Sequence, residues 1–168
     1  MALCGEKWKK VVNLFRGINA VNLDVKGRIS MPKKYRQDTL DAADGKMVVT
    51  IDTDAPCLLL YTLSEWERIE SKLQQLPSFN PAARRIQRLL IGHAMEVDMD
   101  TQGRLLLPGL LRDHAKLDKN VILVGQGNKF EIWSQEQWDA QRDGWLKQGV
   151  SSVDNRSELP GMLDDLSV

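Results

Sequence analysis

The residues best suited to chemistry in this chain are two arginines, Arg28 and Arg104, each set directly after a glycine in the same short pattern. The first copy reads Asp24-Val25-Lys26-Gly27-Arg28 and runs on to Pro32; the second reads Asp100-Thr101-Gln102-Gly103-Arg104 and runs on to Pro108. A guanidinium is a planar fork of N–H donors that fits phosphate oxygens or the major-groove edge of guanine. Held on a rigid turn, such a fork recognises a ligand rather than transforming it. His93 and His114 stand apart in the sequence, and no Ser/His/Asp, Cys/His or His-Glu-x-x-His spacing occurs. No enzymatic activity, cofactor or small-molecule substrate is expected.

The rest of each pattern has a structural purpose. Asp24 suits the first position of a type I turn, where its carboxylate accepts N–H bonds from the next two residues. Gly27 suits the left-handed position that closes the turn with a bulge. Val21-Leu23 and Ile29-Met31 alternate as half-buried strands do, and Pro32 ends the second strand by withholding a ladder donor. Asp100, Gly103 and Pro108 repeat these roles. Hairpin geometry does not itself demand an arginine after the bulge; its alternative role is a salt bridge that ties the turn to a neighbouring strand. Asp98-x-Asp100-x-Gln102-Gly103 begins like a calcium loop, but Gly109 stands where a bidentate glutamate is required, so no metal is expected.

The two copies differ in their surroundings. The first adds Lys26, Lys33, Lys34 and Arg36, whereas the second has Arg104 and Arg112 beside Asp98 and Asp100. If DNA is the ligand, the first is the expected contact surface, and the second is expected to serve mainly in folding and assembly. Net charge is zero over 168 residues, yet residues 1–37 carry nine Lys/Arg against Glu6 and Asp24, formally +7. Such a basic head points to a polyanion. The 42% hydrophobic fraction can fill a core, and no apolar run is long enough to span a membrane. The opening MALCGEKWKKVVNLF has no apolar centre for a secretory signal. Cys4 and Cys57 form no CxxC pair; Cys57, in an apolar run, reads as a buried small hydrophobe in a reducing cytoplasmic setting.

The elements that must position these residues also come twice. Met47–Ile51 and Val121–Val124 read as strands, followed by turn residues and by second strands at Cys57–Tyr61 and Phe130–Trp133. Each ends in a helix start with the form of a capping box, Thr62 with Glu65 and Ser134 with Gln137. Trp66 and Trp138, one turn in, are expected to close the core over the strands. The repeat unit is strand, tight turn, strand, short linking segment, hairpin and helix start, over residues 19–66 and 95–138. Linking helices occupy 67–94, where Asn80-Pro81 supplies a cap and Arg84, Arg85 and Arg88 line one side. His93 is expected to be a surface or capping residue. Residues 139–168 form a C-terminal helix and acidic tail with Trp145 and Leu146 as anchors, and 1–18 an N-terminal extension.

These motifs resemble the MraZ proteins, a bacterial regulator family with two SpoVT/AbrB-like domains. The resemblance rests on Phe15-Arg16-Gly17, Val21-Asn22-Leu23-Asp24, Lys26-Gly27-Arg28, Cys57-Leu58-Leu59-Leu60-Tyr61 and the run Arg84 to His93. Leu123-Val124-Gly125-Gln126 and Asn128-Lys129-Phe130-Glu131 extend it. It implies an α+β, mainly β fold: AbrB-like swapped hairpins in a double-split β-barrel with peripheral helices. It further implies a ring-like homo-oligomer, cytoplasmic and nucleoid-associated, that binds short repeats in double-stranded DNA. Those repeats precede its own gene and the division and cell wall operon, and repression is the implied outcome. By similarity to AbrB-type binders, Arg28, Lys33, Lys34 and Arg36 contact DNA, joined by Lys26, Arg104 and Arg16. Family members begin near Phe15, so residues 1–14 are either a basic arm or, as favoured, a start codon assigned too far upstream; without them the head falls to +5. The alternatives are a structural ring-forming assembly protein and an AbrB-type antitoxin that binds a toxin through Leu159, Met162, Leu163 and Leu166.

Overall fold

The computed structural model describes residues 14–149. The N-terminal lysines, Cys4 and the tail leucines named above lie outside the described residues. Residues up to Gln135 form one compact unit, and Glu136 onward belongs to a second.

In the first unit the chain runs β1 (Phe15–Asn22), β2 (Arg28–Ser30), α1 (Lys33–Ala43), β3 (Lys46–Ile51), β4 (Leu58–Thr62), α2 (Leu63–Gln74) and α3 (Pro81–Leu90). It continues through β5 (Met95–Asp98), β6 (Arg104–Leu106), α4 (Gly109–His114), β7 (Asn120–Gly127) and β8 (Phe130–Ser134). The first strand thus starts at Phe15, ahead of the boundary at 19 read from the sequence. The short linking segments expected after each proline are helices, α1 and α4. Tyr35 and Thr39 are the buried residues of α1 and Leu111 that of α4, so neither shows a long apolar stripe.

The strands form a six-stranded antiparallel sheet in the order β1-β7-β8-β4-β3-β5, and a separate ribbon of β2 with β6. Only β3–β4 and β7–β8 pair within a copy. All other ladders join the two copies: β1 with β7, β3 with β5, β4 with β8 and β2 with β6. Exchanging the copies leaves this pairing map unchanged, so the repeats are related by a pseudo-two-fold arrangement. The turns at Asp24 and Asp100 are therefore not tips of self-paired hairpins, because each lends its second strand to the other copy.

Strand alternation sorts the sheet into two faces. Met47, Val49, Ile51, Leu58, Leu60, Val121, Leu123, Phe130 and Ile132 point into one core, shared with Ile29 and Leu105 of the ribbon. Phe15, Tyr35 and Phe130 meet there, with ring centroids 4.3 to 5.9 Å apart. On the opposite face Val48, Leu59 and Tyr61 of the sheet pack against Trp66 of α2, with partly buried residues of α2 and α3 around them. Trp66 thus closes a core as expected.

Helix ends follow their sequence signals unevenly. Asn80 Oδ1 accepts from Ala82 N at 2.9 Å and Ala83 N at 3.3 Å, with Pro81 as the first residue of α3. Thr62 stands at the N-cap of α2 but makes no side-chain capping bond. The capping box there is not formed, because Glu65 is drawn to Arg68 and to Asn128 Nδ2, 2.8 Å away on the β7–β8 turn.

The helix α5 (Gln135–Gln148), all but its first residue in the second unit, carries Trp138 edge-on to Trp145, centroids 6.0 Å apart. Trp138 is half-buried, unlike its counterpart Trp66.

Candidate nucleic-acid interface

Both arginine turns are built by the same bonds. Asp24 N donates to Arg28 O at 2.9 Å and Gly27 N to Asp24 O at 3.0 Å; the matching bonds at Asp100 and Gly103 are both 2.9 Å. Gly27 and Gly103 have φ of 87° and 76°, the left-handed region that disfavours a side chain. The Asp24 carboxylate accepts from Lys26 N and Arg28 N, each at 2.9 Å, so of the next two residues only Lys26 donates and Arg28 takes the place of Val25. Asp100 does the same with Gln102 N and Arg104 N at 2.9 and 2.8 Å.

The arginines have a local structural role as well. Arg28 Nε donates to Asp24 Oδ2 at 2.7 Å and Arg104 Nε to Asp100 Oδ2 at 2.8 Å. The salt bridge expected to reach a neighbouring strand stays inside the turn. The backbone N–H of the following arginine holds each aspartate below the usual carboxylate range, aided by that arginine's side chain. The pair uses Nε alone. Among the described residues the terminal nitrogens of Arg28 and Arg104 make no hydrogen bond or ion pair, and the side chains stay 25% and 29% exposed.

The ribbon brings the two arginines together. Its register sets Arg28 opposite Leu106, Ile29 opposite Leu105 and Ser30 opposite Arg104. Ile29 and Leu105 are fully buried, so alternation turns Arg28, Ser30, Arg104 and Leu106 to the opposite, outward face. The sequence reading assigned contact mainly to the first copy; the fold sets the second copy's Arg104 on that same face.

The other cations fall on several elements. Lys26 is exposed on the first turn, and Lys33 and Lys34 are exposed at the start of α1. Lys34 Nζ lies 4.8 Å from the Tyr35 ring centroid and reaches the Gly17 backbone, next to exposed Arg16. Arg36 is half-buried, its Nε donating to Met31 O at 2.8 Å. Arg112, named from the sequence only as a cation of the second copy, donates from Nε to Leu107 O at 3.0 Å. The positions of Arg36 and Arg112 against the opposite turns were not legible in the sequence, because they arise from pairing between copies. Arg84, Arg85 and Arg88 are exposed on α3.

Residues with catalytic or metal-binding side chains fall elsewhere. His93 Nδ1 lies 2.7 Å from Leu89 O and caps α3, with the His114 ring 6.3 Å away. Cys57 is fully buried and donates to Asp52 Oδ2 at 3.6 Å. Burial, then the charges of Glu131 and Asp52, push its thiol far up and keep it protonated. Asp52, Cys57 and Glu131 have potential ligand atoms within 4.8 Å of one another. Trp133 Nε1 donates to Glu131 Oε2 at 2.8 Å, and with a protonated thiol this is an interior hydrogen-bonded cluster.

Fold and site define a class of protein: two interlocked copies of one small β unit that display paired arginine turns on a shared ribbon. The chain belongs to the MraZ family, described as "MraZ protein, putative antitoxin-like", whose model matches residues 14–89 and again 90–157. It is 60% identical over 132 residues to "Transcriptional regulator MraZ" of Hydrogenovibrio crunogenus, covering 79% of this chain and 87% of that one. Proteins of the same name are similar in Legionella pneumophila, 56% identical over 86% of this chain and 95% of theirs. In Coxiella burnetii the identity is 52% over 92% of this chain and all of that one. Among the described residues no helix is long and apolar enough to cross a membrane.

Proposed function

We propose that this protein is a sequence-specific, DNA-binding transcriptional regulator that reads DNA with the β2–β6 ribbon. The observation that carries this reading is the placement of Arg28 and Arg104 on one outward face with unengaged terminal nitrogens. The major groove admits a two-stranded ribbon, and an arginine fork pairs with two acceptors of guanine. Lys26, Lys33, Lys34 and Arg16 supply phosphate contacts, and the names of the relatives support a regulatory role. We further assign a ring-like homo-oligomer that binds tandem short promoter repeats and represses its own gene and the division and cell wall operon. One ribbon offers few contacts, whereas a ring raises affinity through effective concentration. The protein is not an enzyme in this reading.

The test is a fluorescence-anisotropy titration with DNA from upstream of its own gene and with a shuffled control, at two salt concentrations. The native site is expected to bind better, with affinity falling by about 0.9 log units per log unit of salt for each phosphate neutralised. Arg28→Ala is expected to cost about 1–3 kcal/mol and to erase the preference for the native site. Equal affinity for both DNAs in the unaltered protein, or full retention of the preference in Arg28→Ala, would overturn the assignment. The family's antitoxin-like description favours a second reading, in which a small toxin co-purifies in stoichiometric amount. A pure homomer argues against it.

A further inference from the structure

Each arginine turn is gripped by the other copy of the repeat. A methyl group placed on Gly27 would lie 2.7 Å from Arg112 Cζ, and one on Gly103 would lie 2.7 Å from Arg36 Cζ. Both glycines are buried by these guanidiniums, which lie directly against the turn backbone. Each guanidinium is itself anchored through Nε, Arg112 to Leu107 O and Arg36 to Met31 O. The main chain completes the grip: Leu107 N donates to Gly27 O at 2.9 Å, and Met31 N donates to Gly103 O at 2.8 Å. Gly27 is thus held at its carbonyl and at its α-carbon by one short stretch of the second copy, Leu107 to Arg112. Gly103 is held likewise by Met31 to Arg36 of the first.

The grip bears on the arginine that follows each glycine. Arg28 is fixed to its own turn through N and Nε, both on Asp24, so the direction of its free terminal nitrogens follows the orientation of the turn. A turn that rocks by an ångström carries the fork with it, and recognition by paired hydrogen bonds tolerates little such error. Arg112 and Arg36 are half-buried and make no carboxylate ion pair among the described residues, so their contacts are spent on this backbone.

We infer that Arg112 is a positioning residue for Arg28, and Arg36 for Arg104, so that each copy orients the DNA-reading arginine of the other. This rests on the DNA-binding reading of Arg28 and Arg104. It gives Arg112 a task and gives Arg36, expected from the sequence to contact DNA, a different one.

A double-mutant cycle on the full chain tests it. DNA affinity and its salt slope are measured for Arg28→Ala, Arg112→Ala, Arg112→Lys and the Arg28→Ala/Arg112→Ala pair, with circular dichroism and light scattering as checks on fold and assembly. Arg112→Ala is expected to weaken binding several-fold at an unchanged salt slope, and the pair to bind no more weakly than Arg28→Ala alone. Arg112→Lys, which keeps the charge and stem without the planar fork, is expected not to rescue. Full additivity, a salt slope lowered by about 0.9, or rescue by lysine would instead make Arg112 a direct phosphate contact and overturn the inference. A readout without DNA separates the two levels. The Arg28 Nε–H resonance, protected by Asp24, is expected to broaden and exchange faster in Arg112→Lys. An unchanged resonance defeats the positioning role even if DNA binds. Altered resonance with no effect of Arg28→Ala on DNA binding leaves the brace standing and defeats the DNA reading.

Discussion

At the scale of single residues, charge placement separates the reading surface from the interior. Arg28 and Arg104 are neutralised on one edge by Asp24 and Asp100 and present the other edge outward. In the interior, Glu131 is 8% exposed with Trp133 as its donor. Burial raises its carboxyl above the ordinary value of 4.5, the Trp133 bond opposes that, and the Asp52 charge adds to it. A raised carboxyl binds its proton more tightly folded than unfolded. Its contribution is therefore fully present below pH 4.5 and is lost as pH rises through the folded-state value. Glu131→Gln is accordingly expected to raise the melting temperature at mildly alkaline pH and to change it little in acid. Paired thermal melts across that range check this, and equal shifts at both ends would contradict it. Asp24 was legible in the sequence because a turn is a local object. The pairing of Arg28 with that same residue was not, since a long, flexible arginine side chain can reach several partners.

At the scale of elements, the ribbon of β2 and β6 is short, three residues on each side, and it depends on the core beneath it. Ile29 and Leu105 are fully buried and face each other across the ladder. Ile29→Ala or Leu105→Ala is expected to lower stability by about 2–5 kcal/mol, the usual cost of removing a large buried aliphatic side chain. Denaturant titration measures this directly. Because the ribbon is the proposed reading head, DNA affinity should fall with temperature earlier in these variants than in the unaltered protein. Sequence periodicity revealed the strands and α3 with its Asn80 cap, but not α1 or α4. Tyr35 and Thr39 sit one turn apart on an otherwise polar segment, and six residues of α4 are too few to show a period.

At the scale of the whole unit, neither copy can satisfy its own strands. The partners of β1, β2, β5 and β6, and one side of β3, β4, β7 and β8, come from the other copy. Residues 14–89 expressed alone are therefore expected to be unfolded as a monomer or to dimerise, since a second copy offers equivalent edges. Size-exclusion chromatography with light scattering and circular dichroism distinguishes these outcomes. A folded monomer would mean that the ladders between copies are dispensable.

The sequence by itself determined what is local: the turn chemistry of Asp24, Gly27 and Pro32, its recurrence at Asp100, Gly103 and Pro108, the alternating strands, and the excess of cations in the first copy. These depend on residues within a few positions of one another, where backbone sterics and period-two burial leave little choice. Only the tertiary structure decided that the two repeats interlace, that Arg28 and Arg104 share one outward face, and that Arg112 and Arg36 close over the opposite glycines. Those relations join residues tens of positions apart. They arise when apolar faces from both copies are buried in one core, a condition that fixes register and orientation but leaves no local mark in the sequence.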